Sequence, residues 1–258
     1  MEIRDFSMEY FSLKGATAMV TGGNTGLGQA FTVALATAGA NVFIPSIADD
    51  GGETRSMVEA VGGHTHLDVV DLTEPGVAKA VVQRCVETFG SLDVLVNSAG
   101  ICNIATVDQF DRGQWDPMIT LNLTVPFELS FEAAKIMRAQ GRGKIINIGS
   151  VFSILGGLGS PAYAATKHGL VGFTKAYCDE LAQYNIQVNA IAPGYFATAM
   201  TAQTRSDPTL SERVIEHIPA GRWGDVGDLM GALVFLASRA SDYVNGHLLV
   251  VDGGYLVR

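Results

Sequence analysis

The stretch ATAMVTGGNTGLGQ, residues 16–29, decides the fold. Its first half is short and apolar, as a buried β-strand is, and its second half is rich in glycine. The residues that follow, within LGQAFTVALATAG at 27–39, have the apolar spacing of a helix and end at a glycine. A strand, a glycine-rich turn and a helix in succession predict the first βα unit of a parallel α/β sheet.

The glycine-rich turn also predicts a ligand. Glycine lets the backbone turn tightly and approach a pyrophosphate, and the helix N-terminus supplies free N–H groups and a positive dipole end. A plain glycine-rich turn is the alternative interpretation. The strand before the turn and the helix after it favour dinucleotide binding.

The rest of the chain repeats this alternation. Helical spacing predicts a helix at 115–140 with a kink or break near Pro126, and further helices at 75–90, 162–184 and 228–238. Short apolar runs predict six more strands, at 41–47, 64–71, 92–100, 143–151, 186–194 and 246–254. Because these strands are apolar along most of their length, we expect class α/β, a single Rossmann-type domain over residues 1–258. Its doubly wound, seven-stranded parallel sheet would carry helices on both faces.

One long segment, at about 195–222, looks irregular. Irregular segments of that size in compact domains are usually functional or disordered. We therefore expect this segment to be a substrate lid.

Composition argues against several classes of function. With 258 residues, 48% of them hydrophobic, the chain suits one large domain, and its net charge of −9 disfavours nucleic acid or an anionic membrane as partner.

The sequence contains no run of about 18 apolar residues, so we expect no membrane span, and the first residues do not resemble a signal peptide. Three widely spaced cysteines indicate reduced thiols and a cytoplasmic protein. Only His64 and His66 lie close together, so we expect no metal site.

The end of the second predicted strand should face the adenosine ribose of a dinucleotide. An acid there would bind the 2′-hydroxyl of NAD, and an arginine the 2′-phosphate of NADP. The sequence offers Ser46 and Ile47, and the nearby Asp49 and Asp50 would repel a phosphate. We therefore expect NAD rather than NADP. Asp68, after the third strand, is placed either to meet the adenine amino group or to act as a turn residue or helix cap.

SPAYAATKHG at 160–169 holds Tyr163 and Lys167 four positions apart, one turn apart on one helix face. A phenol beside an ammonium has a lowered pKa, because the cation favours the phenolate. The pair is therefore a candidate acid/base pair. This stretch alone does not distinguish such a pair from a stray charge on a surface helix.

Taken together, these motifs resemble the short-chain dehydrogenase/reductases over almost the whole chain. Each motif is short, but the order and the spacing of the set are specific. They are Thr-Gly-x-x-x-Gly-x-Gly at 21–28, Asn-Ser-Ala-Gly at 97–100, Asn122, Ser150, Tyr163-x-x-x-Lys167, and Pro193-Gly194 followed by Thr198.

The resemblance implies a role for each matched residue. Tyr163 would be the general acid/base, and Ser150 would hydrogen-bond the substrate oxygen. Lys167 would lower the pKa of Tyr163 and bind the nicotinamide ribose, and Asn122 would hold a water molecule that relays protons to Lys167. Arg205 is a candidate substrate contact, and a homotetramer is implied. The implied cofactor contacts are Gly22, Asn24, Thr25, Gly26, Leu27, Gly28, Ser46, Asp68, Val69, Asn97, Ala99, Gly100, Tyr163, Lys167, Pro193, Gly194, Phe196 and Thr198.

The C-terminal third resembles a narrower group, bacterial dehydrogenases of deoxy-ketogluconates. This resemblance implies an NAD(H)-linked oxidoreductase of a sugar acid such as 2-dehydro-3-deoxy-D-gluconate. ICNIAT at 101–106 departs from that group because it lacks basic residues, which leaves Arg205, Arg222 and His217 as candidates for binding a carboxylate. A neutral sugar, a polyol or another small ketone is therefore an alternative substrate.

Two other functions remain open. One is a 3-oxoacyl carrier-protein reductase, which would usually use NADPH and a basic docking patch. The other is a non-catalytic nucleotide-binding protein, which would bind the cofactor without turnover.

Overall fold

A computed structural model describes residues 5–258 and contains a seven-stranded parallel sheet. The strand order is β3-β2-β1-β4-β5-β6-β7, so the chain winds outward from β1 in both directions and places helices on both faces. This confirms the predicted fold class. The strands are β1 Thr17–Val20, β2 Asn41–Ser46, β3 Thr65–Val69, β4 Val94–Asn97, β5 Gly143–Ile148, β6 Ile186–Pro193 and β7 Leu248–Val251.

Helices connect the strands and cover the sheet. A π-helical turn, Thr120–Thr124, separates α4 from α5. The α-helices are α1 Gly26–Thr37, α2 Glu53–Ala60, α3 Val77–Phe89, α4 Arg112–Ile119, α5 Val125–Gln140, α6 Pro161–Leu181, α7 Ala202–Ser206, α8 Pro208–His217 and α9 Gly227–Ala237.

Two apolar clusters hold the helices to the sheet. Phe31 of α1 and Leu233 of α9 are fully buried in one cluster, and Val81 of α3 and Leu129 of α5 are fully buried in the other. Each cluster also contains inward-facing strand residues. Burial of apolar surface on both faces is what keeps an all-parallel sheet folded.

The predicted break near Pro126 is confirmed, and it has a structural use. The π turn ends just before α5, and Pro126, which has no N–H to donate, occupies the first turn of α5 next to this change of helical pattern. A π turn inserts an extra residue into a helix. Here it carries the buried Asn122.

Two expectations about the remaining segments are wrong. The sequence analysis did not predict α2, because only Thr54 and Val58 of that helix are buried and its apolar period is weak. The segment 195–222 is also not irregular, since it contains α7 and α8. Asp207 caps α8 by accepting hydrogen bonds from the backbone N–H groups of Thr209 and Leu210.

No helix within residues 5–258 combines the length and the hydropathy that a membrane crossing requires.

Candidate active site

The glycine-rich turn leaves open space at the N-terminus of α1. Gly22 and Gly26 have φ angles of 61° and 52°, in the region that favours glycine. No atom lies within 4 Å of the position that a Cβ on Gly26 would take, whereas a Cβ on Gly28 would overlap the carbonyl of Gly22. The turn therefore packs tightly against α1 and stays open above it, which fits a pyrophosphate at the helix N-terminus.

Hydrogen bonds tie this turn to the neighbouring strand ends. Thr21 Oγ1 accepts from the backbone N–H groups of Ser98 and Ala99, both at 2.9 Å. The Gly22 N–H donates to the carbonyl of Pro45 at 2.9 Å. These hydrogen bonds hold together the carboxyl ends of β1, β2 and β4. A doubly wound sheet binds its ligand at the carboxyl ends of its strands.

Two asparagines have buried acceptors without a partner among the described residues. Asn24 donates from Nδ2 to the carbonyl of Ala48 at 2.7 Å, and Asn97 donates from Nδ2 to Asn147 Oδ1 at 2.8 Å. The Oδ1 atoms of Asn24 and Asn97 are buried and accept nothing. A buried acceptor normally has a donor. The ribose hydroxyls and the amide of a nicotinamide dinucleotide are donors of the required kind.

A cavity of about 310 Å³ lies beside the end of β2 and is lined by Asp49, Asp50, Arg55 and Val69, among others. Burial acts to raise the pKa of Asp50, but hydrogen bonds from Thr54 and Gly52 outweigh it and lower that pKa. Exposed Arg55 forms no ion pair with another described residue. Arg55 lies on α2, which the sequence analysis did not predict, so a basic side chain lines the cavity beside the end of β2.

Asp68 does not line this cavity. Its carboxylate forms an ion pair with Arg84 of α3 at 2.7 Å, so it is neither a turn residue nor a helix cap. The neighbouring Val69 is the residue of β3 that reaches the cavity.

Two other predicted cofactor contacts have buried side chains. The side chain of Phe196 is buried in an apolar cluster and packs against Gly224. Ser46 is also buried, and its carbonyl accepts from the N–H of Val70 at 2.7 Å.

The helix α6 brings Tyr163 and Lys167 to one site. Lys167 is buried, its Nζ donates to the carbonyl of Ile148 at 2.7 Å, and it lies 5.4 Å from the ring centroid of Tyr163. Burial lowers the pKa of Lys167 to about 8, and electrostatic interaction with Cys102 opposes this.

The pKa of Tyr163 lies above its ordinary value, against the prediction. Burial is the main cause and electrostatic interaction with Cys102 adds to it, while a hydrogen bond with Ser150 acts in the opposite direction. The ammonium of Lys167 does not offset this desolvation.

Asn122 and Ser150 complete the cluster. The amide of Asn122 accepts from the N–H of Ile101 at 2.9 Å and donates to its carbonyl at 2.7 Å. A Cβ on Gly100 would lie 3.2 Å from Asn122 Oδ1 and 3.8 Å from Lys167 Nζ, so these two side chains flank the same glycine. Ser150, just after β5, lies near enough to Tyr163 to affect its pKa. The structure thus brings all four predicted catalytic residues together.

An aromatic group beside Tyr163 was missed by the sequence analysis. The ring of Phe152 stands edge-on to Tyr163 at 6.0 Å and to Tyr195 at 6.3 Å. Tyr195 in turn lies 5.7 Å from Trp223 and 5.0 Å from Tyr255. The sequence signal that could have indicated these aromatic residues is their position in the chain, close to Ser150, Gly194 and the predicted lid segment.

The three candidate residues for binding a carboxylate each have contacts of their own. Arg205 is exposed and donates to the carbonyl of Thr198 at 3.0 Å. Arg222 is exposed and bound to both oxygens of Asp228, at 2.7 and 3.1 Å. The ring of His217 lies 4.3 Å from that of Tyr255. Within residues 5–258, no three His, Cys, Asp or Glu side chains form a metal site.

Comparison with known proteins places this site among relatives. A family model described as enoyl-(acyl carrier protein) reductase matches residues 22–256. An uncharacterised oxidoreductase of Escherichia coli K12 is 65% identical, with 98% of this chain and 97% of the relative covered. A 2-dehydro-3-deoxy-D-gluconate 5-dehydrogenase of Bacillus subtilis 168 is 46% identical, with 96% and 97% covered.

The fold is likewise similar to solved structures. A gluconate 5-dehydrogenase of Burkholderia cenocepacia J2315, in complex with NADP and tartrate, has a TM-score of 0.91. It is 38% identical, with 97% of this chain and 98% of that chain covered. The bound NADP in that relative weighs against the expected preference for NAD.

Proposed function

Because the chain belongs to the short-chain dehydrogenase/reductase family and is thus an oxidoreductase, we propose that it acts on a sugar acid such as 2-dehydro-3-deoxy-D-gluconate. The reaction is hydride transfer between a nicotinamide dinucleotide and a secondary alcohol or ketone of that acid. One observation carries this proposal: Asn122, Ser150, Tyr163 and Lys167 meet at the sheet edge that also holds the glycine-rich turn.

In this mechanism the dinucleotide, when bound, supplies or accepts the hydride. Reducing a ketone adds that hydride to carbon, and Tyr163 gives its proton to the oxygen, which Ser150 holds by a hydrogen bond. Lys167 then returns a proton to Tyr163 by way of water held at Asn122. A pKa of about 8 suits Lys167 for proton exchange near neutral pH.

The substrate class is supported by the named relatives and by the lid. Dehydrogenases of gluconate derivatives are 46% and 38% identical to this chain. Arg205 lies in α7, within the segment 195–222 that we propose as the lid of this single domain, and its exposed guanidinium is a candidate to bind a carboxylate.

We propose NADP as an accepted cofactor, with Arg55 binding its 2′-phosphate. Arg55 is the basic side chain in the cavity beside β2, and it has no ion-pair partner among the described residues. A guanidinium binds phosphate through charge-assisted hydrogen bonds. Asp49 and Asp50 line the same cavity and limit this preference by repulsion.

The experiment is to follow the absorbance of NADPH and of NADH with purified protein and a panel of ketones. The panel contains keto-sugar acids, neutral ketoses and an acetoacetyl thioester. Tyr163→Phe tests the acid/base role, and Tyr243→Phe, at a fully exposed tyrosine, is the matched control.

Oxidation of the reduced cofactor by a keto-sugar acid, lost in Tyr163→Phe and kept in Tyr243→Phe, supports the proposal. Turnover of the thioester alone would assign a 3-oxoacyl carrier-protein reductase, the second function. Cofactor binding without turnover of any ketone would contradict the proposed activity. A homotetramer and a cytoplasmic location remain predictions.

A further inference from the structure

The amino edge of the sheet holds a cavity of about 400 Å³. Its lining includes Ala16, Asp93, Gly143 and Gln187, which lie at or next to the first residues of β1, β4, β5 and β6. These strands are parallel, so their carboxyl ends, which carry the candidate active site, lie at the opposite edge. The volume falls within the range of about 300–1,000 Å³ that small-molecule sites occupy, and the proposed reaction does not use this cavity.

The charged residues of this cavity have the opposite balance to the chain as a whole. Four cationic side chains and two carboxylates line it, whereas the chain carries a net charge of −9. An excess of positive charge in a concave site raises the local concentration of anions. The cations are Lys14, Arg142, Lys144 and Arg239, and the carboxylates belong to Asp93 and Asp242.

Each of the two carboxylates already has a cationic partner. Asp93 is buried, accepts from the Thr17 N–H at 2.9 Å and forms an ion pair with Arg142 at 2.9 Å. Asp242 forms an ion pair with Lys144 at 2.8 Å. These two pairs account for both negative charges of the cavity.

Lys14 and Arg239 are the two cations that remain. Both are exposed, and neither forms an ion pair with another residue in the described part of the chain, 5–258. The guanidinium of Arg239 lies 5.0 Å from the ring centroid of Tyr10, a cation–π contact that does not neutralise its charge. Two such cations suit a group with two negative charges, and a phosphate monoester carries nearly that charge at neutral pH.

Two amide side chains of the cavity have only long hydrogen bonds. Gln187 is 6% exposed, and its Nε2 donates to Asn185 Oδ1 at 3.4 Å. Asn185 Nδ2 donates to the carbonyl of Gly141, also at 3.4 Å. Both distances exceed the ordinary range of about 2.7–3.2 Å. Since buried polar groups normally have good partners, these amides are suited to bind hydroxyl groups of a ligand.

Lys144 adds a buried donor to the same cavity. It is 9% exposed, and its ammonium has three N–H donors. Its Nζ donates to Asp242 Oδ1 at 2.8 Å and reaches Ser241 Oγ only at 3.5 Å. At least one N–H of Lys144 is therefore open to an oxygen atom of a ligand.

We propose that this cavity binds a small phosphorylated polyol, with Lys14 and Arg239 on the phosphate and Asn185 and Gln187 on the hydroxyl groups. The planar guanidinium can bind two phosphate oxygens at once, while the lysine acts as a point charge. This site is separate from the candidate active site, and the inference does not depend on the proposed function.

The first test is calorimetric titration of the NADP-loaded protein with D-glucose 6-phosphate, inorganic phosphate and D-glucose. Saturating NADP fills the phosphate sites of the cofactor, so the titration reports a further site. We expect D-glucose 6-phosphate to bind at least about fivefold more tightly than inorganic phosphate, because its hydroxyls add hydrogen bonds, and D-glucose not to bind. Equal affinities for the two phosphates would overturn the assignment of a polyol, and binding of neither would overturn the site.

Variants locate the site. Lys14→Gln combined with Arg239→Gln should weaken binding of D-glucose 6-phosphate at least about tenfold. Arg213→Gln, at an exposed arginine outside the cavity, should leave the affinity unchanged. Gln187→Met should weaken binding of D-glucose 6-phosphate but not of inorganic phosphate. Undiminished binding in the double variant would place the phosphate elsewhere and overturn the inference.

Thermal unfolding separates lost binding from lost folding. Because Lys14 and Arg239 are exposed, the double variant without ligand should keep its Tm within about 2 °C of the wild-type value. D-glucose 6-phosphate should raise the Tm of the wild type and of Arg213→Gln but not of the double variant, since a ligand that binds only the folded chain stabilises it. A rise of equal size in all three proteins would contradict the site.

Discussion

Tyr163 and Lys167 stand one helical turn apart, and burial rather than their mutual attraction determines how each titrates. Burial raises the pKa of Tyr163 and lowers that of Lys167 to about 8. Sequence spacing correctly placed the two side chains together. It could not give the sign of the Tyr163 shift, because desolvation depends on neighbours from other parts of the chain, such as Cys102.

The lowered pKa of Lys167 predicts a pH dependence of stability. In the folded chain Lys167 loses its proton near pH 8, whereas in the unfolded chain it keeps the proton up to about pH 10.5. The buried charge of Lys167 therefore lowers the free energy of unfolding most at low pH, and this penalty shrinks as the pH rises from 8 to 10.5. At about 1.4 kcal/mol per pKa unit, the penalty at pH 7 is on the order of 3 kcal/mol. Lys167→Met should therefore gain free energy of unfolding relative to wild type at pH 7, and this gain should shrink by pH 10. Urea unfolding measures both values, and a difference independent of pH would contradict the shift.

The guanidinium of Arg55 gives the second prediction at this scale. In Arg55→Gln we expect KM for NADPH to rise about tenfold or more, because a charge-assisted hydrogen bond is worth about 1.5–3 kcal/mol. KM for NADH should stay unchanged, since NADH has no 2′-phosphate. Initial rates with both cofactors measure this, and Arg213→Gln, at an exposed arginine of α8, is the control. An equal rise for both cofactors would contradict the assignment.

At the level of elements, buried strands could be predicted from the sequence more easily than helices with few buried residues. All four residues of β1 and all eight of β6 are buried, so their apolar runs stand out in the sequence. Helix α2 buries only two residues and was missed, and Arg55 was missed with it. Helices α7 and α8 bury none, which is why 195–222 looked irregular.

The contact between α1 and the glycine-rich turn gives a prediction for one element. In Gly28→Ala the new Cβ would overlap the backbone carbonyl of Gly22, which cannot rotate away as a side chain can. We expect α1 to shift, affinity for NADPH to fall at least about tenfold and the Tm to drop by several degrees, about the effect of 1–2 kcal/mol. Calorimetry measures both quantities.

Gly172→Ala is the matched control, because no atom lies within 4 Å of its Cβ position in α6. Replacing this helical glycine should stabilise the chain by up to about 1 kcal/mol and leave affinity unchanged. Equal losses in both variants would show that the effect is not local to the turn.

For the whole molecule, the exposed aromatic face of α5 bears on the predicted homotetramer. Phe127 and Phe131 are 48% and 49% exposed, and Phe127 stacks at 6.2 Å on Tyr177 of α6. Exposed apolar patches of this kind often mark interfaces. We expect Phe131→Glu to lower the molar mass measured by light scattering, because burying an unpaired carboxylate is costly.

A control for this variant comes from another surface. Val61→Glu, just after α2, also adds a charge at an exposed apolar residue and should leave the molar mass unchanged. A Phe131→Glu protein with the wild-type mass would place the interface elsewhere.

The exposure of α7 and α8 has a consequence for evolutionary change. Neither helix contains a buried residue, whereas the candidate catalytic residues stand on strand ends and helices anchored in the two apolar clusters. Mutations in α7 and α8 therefore cost little folding free energy, because most damage to stability comes from buried positions. Lineages descended from this protein can change the sequence of these two helices while the four candidate catalytic residues are kept.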